Sequence, residues 1–159
     1  MDVIDLLERD HVRIRSLLAR LRGAGARALK TRVELLDRLA LELAIHSCLE
    51  EELLYPLLCV QGGDEEVAGY LDDREEHRAL NSLLLPDLQA TDPSSSRFAG
   101  RLKVLQAMIE QLIEREQSEL LPRAQKHLGK VRLQLLGRQM EHLRSSLKCG
   151  LLDMANQAA

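Results

Sequence analysis

The chain has 159 residues, 45% of them hydrophobic and 30% charged, and a formal net charge of −3 from interleaved residues of both signs. That length suits one domain with a real core, and the lack of a clustered basic face argues against nucleic-acid binding. Aromatic residues make up only 2%, with no Trp, so leucine must supply most of the core, and a Leu-, Ala-, Glu- and Arg-rich chain poor in Val and Thr favours helix over sheet.

In chain order, Asp2 precedes a periodic stretch that runs to about Arg22 and closes at Gly23-Ala24-Gly25. A second stretch runs from about Thr31 to Val60, with Pro56 near its end and Gly62-Gly63 beyond; Pro56 should bend or break it. A third begins near Asp64 and ends around Leu85-Pro86, before the loop Asp92-Pro-Ser-Ser-Ser96. A fourth runs from about Arg97 to Leu128, with a bend or break expected near Pro122. Gly129 separates it from a fifth, about Val131 to Lys148, and Asp153 to Ala159 should fray. The expected fold is an all-α, up-down-up-down four-helix bundle over residues 1–128, with residues 129–159 a short fifth helix and tail of the same domain.

No apolar run reaches the ~18–20 residues of a membrane span, so no membrane partner is expected. The N-terminus lacks the basic region of a signal peptide. Cys48, Cys59 and Cys149 are odd in number and without zinc-type spacing, which suits reduced thiols in a cytoplasmic protein.

An eleven-residue segment occurs twice, imperfectly. In residues 46–56 and 112–122, Glu50 matches Glu116, Leu54 matches Leu120 and Pro56 matches Pro122, but His46 is matched by Leu112. On a helix, residues four apart lie about 40° from each other and about 6 Å along the axis. His46 and Glu50 can therefore reach one small volume. The apolar seams carry further polar residues. They read Ile4, Leu7, His11, Ile14, Leu18, Leu21 in the first helix and Leu35, Leu39, Leu43, His46, Glu50, Leu53, Leu57 in the second. The third reads Val67, Tyr70, Asp73, His77, Leu80, Leu84, and the fourth Leu105, Ile109, Leu112, Glu116, Leu120. A lone core histidine is usually a hydrogen-bonded structural residue. Four helices that each bring an ionisable group to mid-seam instead suggest a bound ion, because buried charges are paired or coordinate metals. Two carboxylates with three imidazoles suit Fe, Mn or Zn.

At these residues the chain resembles the hemerythrin-like HHE cation-binding family, through Asp10-His11, His46-x-x-x-Glu50 with Leu-Tyr-Pro56, Glu76-His77, and Glu116 with Leu-Leu-Pro122. The resemblance implies a four-helix bundle around non-haem iron, one or two ions, with His11 and His46 on one iron, His77 on the other, and Glu50 and Glu116 bridging. A family histidine is replaced by Leu112, so the second iron position should be impaired; Asp73 is a further carboxylate candidate there. His127 and His142 fall outside this set. The implied function is binding or sensing of dioxygen, nitric oxide or iron, with a small gas ligand as partner. A stress-response or iron–sulfur repair enzyme and a metal-free structural bundle remain the alternatives, with turnover of peroxide or nitric oxide and the presence of iron as the discriminating observations. Self-association is left open by the sequence, a homodimer included.

Overall fold

The computed structural model describes residues 1–158, and every regular element among them is helical. Helix α1 (Val3–Gly23) starts on a reciprocal cap: the Asp2 carboxylate accepts from the Ile4 and Asp5 backbone amides, and the Asp5 side chain accepts from the Asp2 amide. Helix α2 (29–62) ends at Gly63, whose φ of 75° suits glycine. Helix α3 (64–89) leads into the Asp92 loop, and α4 (96–128) begins with Ser95 accepting from the Phe98 amide. Gly129, at φ 67°, breaks the last helical stretch and sets off α5 (130–158). Residues 153–158 continue that helix, so the expected fraying is not what the structure records there; Ala159 lies outside the described residues.

None of the prolines expected to break a helix does so. Instead, one turn of α2, α3 and α4 widens to an i→i−5 hydrogen bond immediately before Pro56, Pro86 and Pro122. Tyr55 N–H donates to the Glu50 carbonyl, Leu85 N–H to Leu80 and Leu121 N–H to Glu116. The cause is steric and chemical. A proline cannot donate, and its ring presses on the carbonyl four residues back. Widening the preceding turn by one residue moves that carbonyl aside while the chain stays helical. Leu80-x-x-x-Leu84-Leu85-Pro86 is thus a third copy of the repeat, without its acid.

The extra residue also rotates the buried face. The seam expected to continue through Leu53 and Leu57 instead buries Leu54 and Leu58. In α3 the buried positions after Leu80 are Leu85 and Leu88 rather than Leu84, and the first two turns are thinly covered, with Val67 exposed and Tyr70 half-buried. In α4 Leu121, Ala124 and Leu128 follow Leu120 into the core. Upstream of the proline turns in α2 and α4 the sequence periodicity holds.

Two apolar clusters fill the molecule. One gathers Ile14, Leu18, Leu39, Leu43, Leu80 and Ile113; the other gathers Leu7, Leu49, Leu54, Tyr55, Leu120 and Met140. The polar residues of the four seams fall between them along each helix. Helix α5 lies beside the bundle and adds Leu133, Leu136 and Met140 to the second cluster. No helix among the described residues is long and apolar enough to cross a membrane.

The crossing of α5 over the start of α1 is close. A Cβ on Gly137 would lie 2.8 Å from the Met1 carbonyl oxygen and 2.9 Å from the Asp2 carbonyl carbon, both backbone atoms with little room to move. Gly137→Ala should destabilise the protein by about 1–3 kcal/mol through overpacking, although alanine ordinarily gains about 0.5–1 kcal/mol over glycine inside a helix. Urea denaturation measures this, and a variant as stable as the parent would show that α5 is not held at that crossing.

Candidate metal centre

Each long helix of the bundle delivers its share of the site from mid-length. α1 supplies His11, α2 His46 and Glu50, α3 His77, and α4 Glu116; all five are almost wholly buried. The proline turns take part in this. Glu50 and Glu116 are the first residues of the widened turns, and their carbonyls accept the i→i−5 bonds. His77 sits just before the third such turn.

Glu116 is the hub. Its Oε2 lies 2.7 Å from His11 Nε2 and 3.2 Å from His46 Nε2, while its Oε1 lies 3.7 Å from His77 Nε2. Glu50 Oε2 lies 3.7 Å from His46 Nε2 and 3.4 Å from His77 Nε2, and it accepts a hydrogen bond from the Tyr55 hydroxyl at 3.3 Å. Two overlapping trios result: His11, His46 and Glu116, and Glu50, His77 and Glu116, each with ligand atoms within 4.8 Å of one another. Their chemistry differs. The first has two imidazoles and one carboxylate; the second has one imidazole and two carboxylates.

Behind the ring nitrogens stand acids that the sequence did not assign to this task. Glu51 Oε1 meets His77 Nδ1 at 2.9 Å, and Asp10 Oδ2 approaches His46 Nδ1 at 3.5 Å. Such outer acceptors fix which nitrogen of a ring faces inward. Asp10 and Glu51 each adjoin an identified ligand candidate in sequence, which is the one signal that pointed to them. Tyr55 was visible only as part of the Leu-Tyr-Pro match. Asp73 is half-buried and accepts from Arg115 Nη2 at 2.5 Å, so the structure engages it there and outside both trios. Leu112 is buried in the apolar cluster. His127 is half-buried, His142 is exposed, and neither joins the trios.

The residues present fit a cation. Glu50 Oε1, Glu116 Oε1 and His77 Nε2 are buried without a hydrogen-bond partner, and orphaned polar atoms of this kind are costly unless something meets them. With no ion, protons do part of that work. Burial and the like charge of Glu116 push the Glu50 carboxyl up to about 8. Burial pulls the His77 imidazole down, but the nearby Glu116 carboxylate, the bond to Glu51 and the charge of Glu50 outweigh this and raise it to about 9. His46 is likewise disfavoured by burial yet raised by Glu50 and Glu116. Glu116 is pushed up by burial and pulled further down by His46 and His11, so it stays ionised. Protons and a metal ion are alternative occupants of the same space.

A cleft of about 150 Å³ reaches Glu116 from the surface between α2, α3 and α4. Tyr55, Tyr70 and Leu120 line its inner part, and Arg115 and Arg123 its polar flank. Both arginines are paired, Arg115 with Asp73 and Glu76, and Arg123 with Glu66 and Glu119.

The model of the hemerythrin HHE cation binding domain matches residues 2–124. An uncharacterized hemerythrin-like protein of Schizosaccharomyces pombe is 27% identical over 127 residues, which are 80% of this chain and 61% of that protein, so the chain spans less than two thirds of the relative's length. The crystal structure of a hemerythrin HHE cation binding domain-containing protein from Mycobacterium kansasii aligns with a TM-score of 0.83 over 96% of this chain and 90% of that one, at 22% identity. The shared fold is the hemerythrin-like bundle.

Two outcomes follow from this geometry. Folding without metal favours the protonated forms of His77, raised from 6.5 to about 9, and of Glu50, raised from 4.5 to about 8. The His77 contribution is complete below its unfolded value and is lost as pH rises through 9; the Glu50 preference is lost on the way to 8. The melting temperature of the metal-free protein should therefore fall between pH 6.5 and 9. A saturating divalent ion should reverse that slope, because the ligand forms are deprotonated; a flat profile in both states would contradict the reading. Separately, Pro122→Ala restores a backbone donor and removes the ring clash, so the turn at Glu116 can tighten. Metal affinity should drop about ten-fold or more, comparable to loss of an orienting contact, while the metal-free melting temperature holds or rises. Isothermal titration beside a thermal melt checks both halves.

Proposed function

The chain belongs to the hemerythrin HHE cation-binding domain family, and from that premise we propose that it is a non-haem iron-binding protein that binds or senses a small diatomic ligand such as dioxygen or nitric oxide. The observation that carries the proposal is the pair of buried trios sharing Glu116. His11 and His46, with Glu116, would hold one iron; His77, with Glu50 and Glu116, would hold a second more weakly, and the two carboxylates would span the pair. Iron so held would supply redox-active coordination positions for a small ligand.

What the chain's own residues do follows from their placement. Glu116 presents one oxygen toward His11 and His46 and the other toward His77. Glu51 bonds the outer nitrogen of His77, and Asp10 faces that of His46 at 3.5 Å. Tyr55 directs its hydroxyl proton at Glu50 Oε2 and so limits that carboxylate's rotation. The apolar clusters on either side exclude bulk water, while the cleft gives a small molecule a path to Glu116. With one imidazole fewer than the His11–His46 side, the His77 side is where a ligand would find a free position. We place the protein in the cytoplasm, in keeping with its three free cysteines.

Iron content after growth with added iron, together with anaerobic Fe(II) titration, tests this. The expected result is about one tightly held iron per chain with a partly filled second position, and stabilisation of about 2.7 kcal/mol when free Fe(II) is 100 times Kd. Leu112→His should raise the second occupancy. Protein that carries no iron and melts unchanged with Fe(II) would instead be a metal-free structural bundle.

A further inference from the structure

We infer that Arg144, on the fifth helix and beyond the residues matched by the family model, is a positioning residue for the two-histidine side of the metal centre. Its guanidinium enters where α1 and α2 meet. Nη2 donates to Asp10 Oδ2, and Nη1 lies 3.7 Å from Glu42 Oε2. Both acids adjoin ligand candidates. Asp10 precedes His11 in α1, and Glu42 stands one turn before His46 in α2. Asp10 Oδ2 is also the atom that faces His46 Nδ1 at 3.5 Å. Arg144 therefore fixes the carboxylate that orients one imidazole and ties together the helices that carry both.

Burial separates this contact from an ordinary surface pair. Asp10 is 3% exposed, and the side chains of Arg144 and Glu42 are only 14% and 13% exposed. Removing one partner from a buried charge network leaves the other uncompensated. Arg13 also approaches both acids, Asp10 at 3.4 Å and Glu42 at 3.2 Å, but its side chain is 43% exposed, and solvated pairs of that kind contribute little. Lys148, one turn further along α5, reaches Glu42 at 3.5 Å and anchors the same acid. The Gly137 crossing holds α5 against the start of α1 and so fixes where Arg144 arrives. Among the described residues none of α5 stands behind His77, whose outer acceptor, Glu51, comes from α2.

The inference rests on the proposal that His11, His46 and Glu116 hold an ion. It predicts that Arg144→Met weakens Fe(II) binding at the tighter position about 10- to 100-fold, the usual effect of losing an outer-sphere partner. Arg144→Lys, which keeps the charge but not the forked geometry, should fall between. Glu42→Gln should also be intermediate, and Arg13→Met should stay within about two-fold of wild type. The experiment is anaerobic Fe(II) titration of the full chain against a competing chelator, beside melts of each metal-free variant. If Arg144→Met binds Fe(II) like wild type while melting lower, Arg144 is a structural clamp only and the inference fails. Should Arg144→Met not fold, wild-type affinity in both Arg144→Lys and Glu42→Gln would overturn it equally. Wild-type protein that binds no Fe(II) would sink the proposed function itself, a different result from an unaffected variant.

Discussion

Two carboxylates and three imidazoles are kept out of water at the middle of a leucine bundle, and the rest of the molecule is arranged around that constraint. An unpaired ion in such a place costs several kcal/mol even after relaxation. The structure spreads the charge instead. Glu116 sits between His11 and His46, Glu50 takes up a proton or a cation, and Glu51 and Asp10 neutralise the rings from behind. Apolar layers pack on both sides of the orphaned oxygens of Glu50 and Glu116. A divalent ion would meet those atoms at once, which is the chemical case for reading the core as a candidate metal centre.

The prolines serve the same end. A proline inside an α-helix ordinarily costs about 3 kcal/mol or more. Here each is accommodated by one widened turn, and in α2 and α4 that turn opens with the acid of the site. Backbone strain relief and ligand placement are thus a single feature, repeated in α3 next to His77 without an acid of its own. Because the widening adds a residue, it also re-aims the helix beyond it, so Leu54 and Leu58 replace Leu53 and Leu57 in the core, Leu85 replaces Leu84, and Leu121 joins Leu120.

This explains which parts of the molecule were legible in the sequence. The 3.6-residue period reads the seams up to Glu50 and Glu116, because those turns follow the ordinary register. Around Pro56 and Pro86 it misassigns Leu53, Leu57 and Leu84 by one position, since nothing in local propensity announces an extra residue in a turn. Asp2, Gly23 and Gly129 mark helix ends by capping and conformational rules that need only neighbours in the chain. The five polar residues stood out as interruptions of an apolar stripe. Arg144 could not, because it lies 134 residues from Asp10 and its role exists only once α5 is docked.

The two halves of the centre differ in more than donor count. The His11–His46 side is closed behind by Asp10, Arg144 and Glu42, a network held by a helix outside the four-helix frame. The cleft arrives elsewhere, at Tyr55, Asp73 and Glu116 between α2, α3 and α4. There the donor set is short of an imidazole, and Leu112 lends its volume to the apolar cluster. The cleft ends on Glu116, the carboxylate that both halves of the cage share. In a symmetric centre both ions would compete for an incoming molecule. Under the proposed function the enclosed side would retain metal, and the shared Glu116 would meet what the cleft admits.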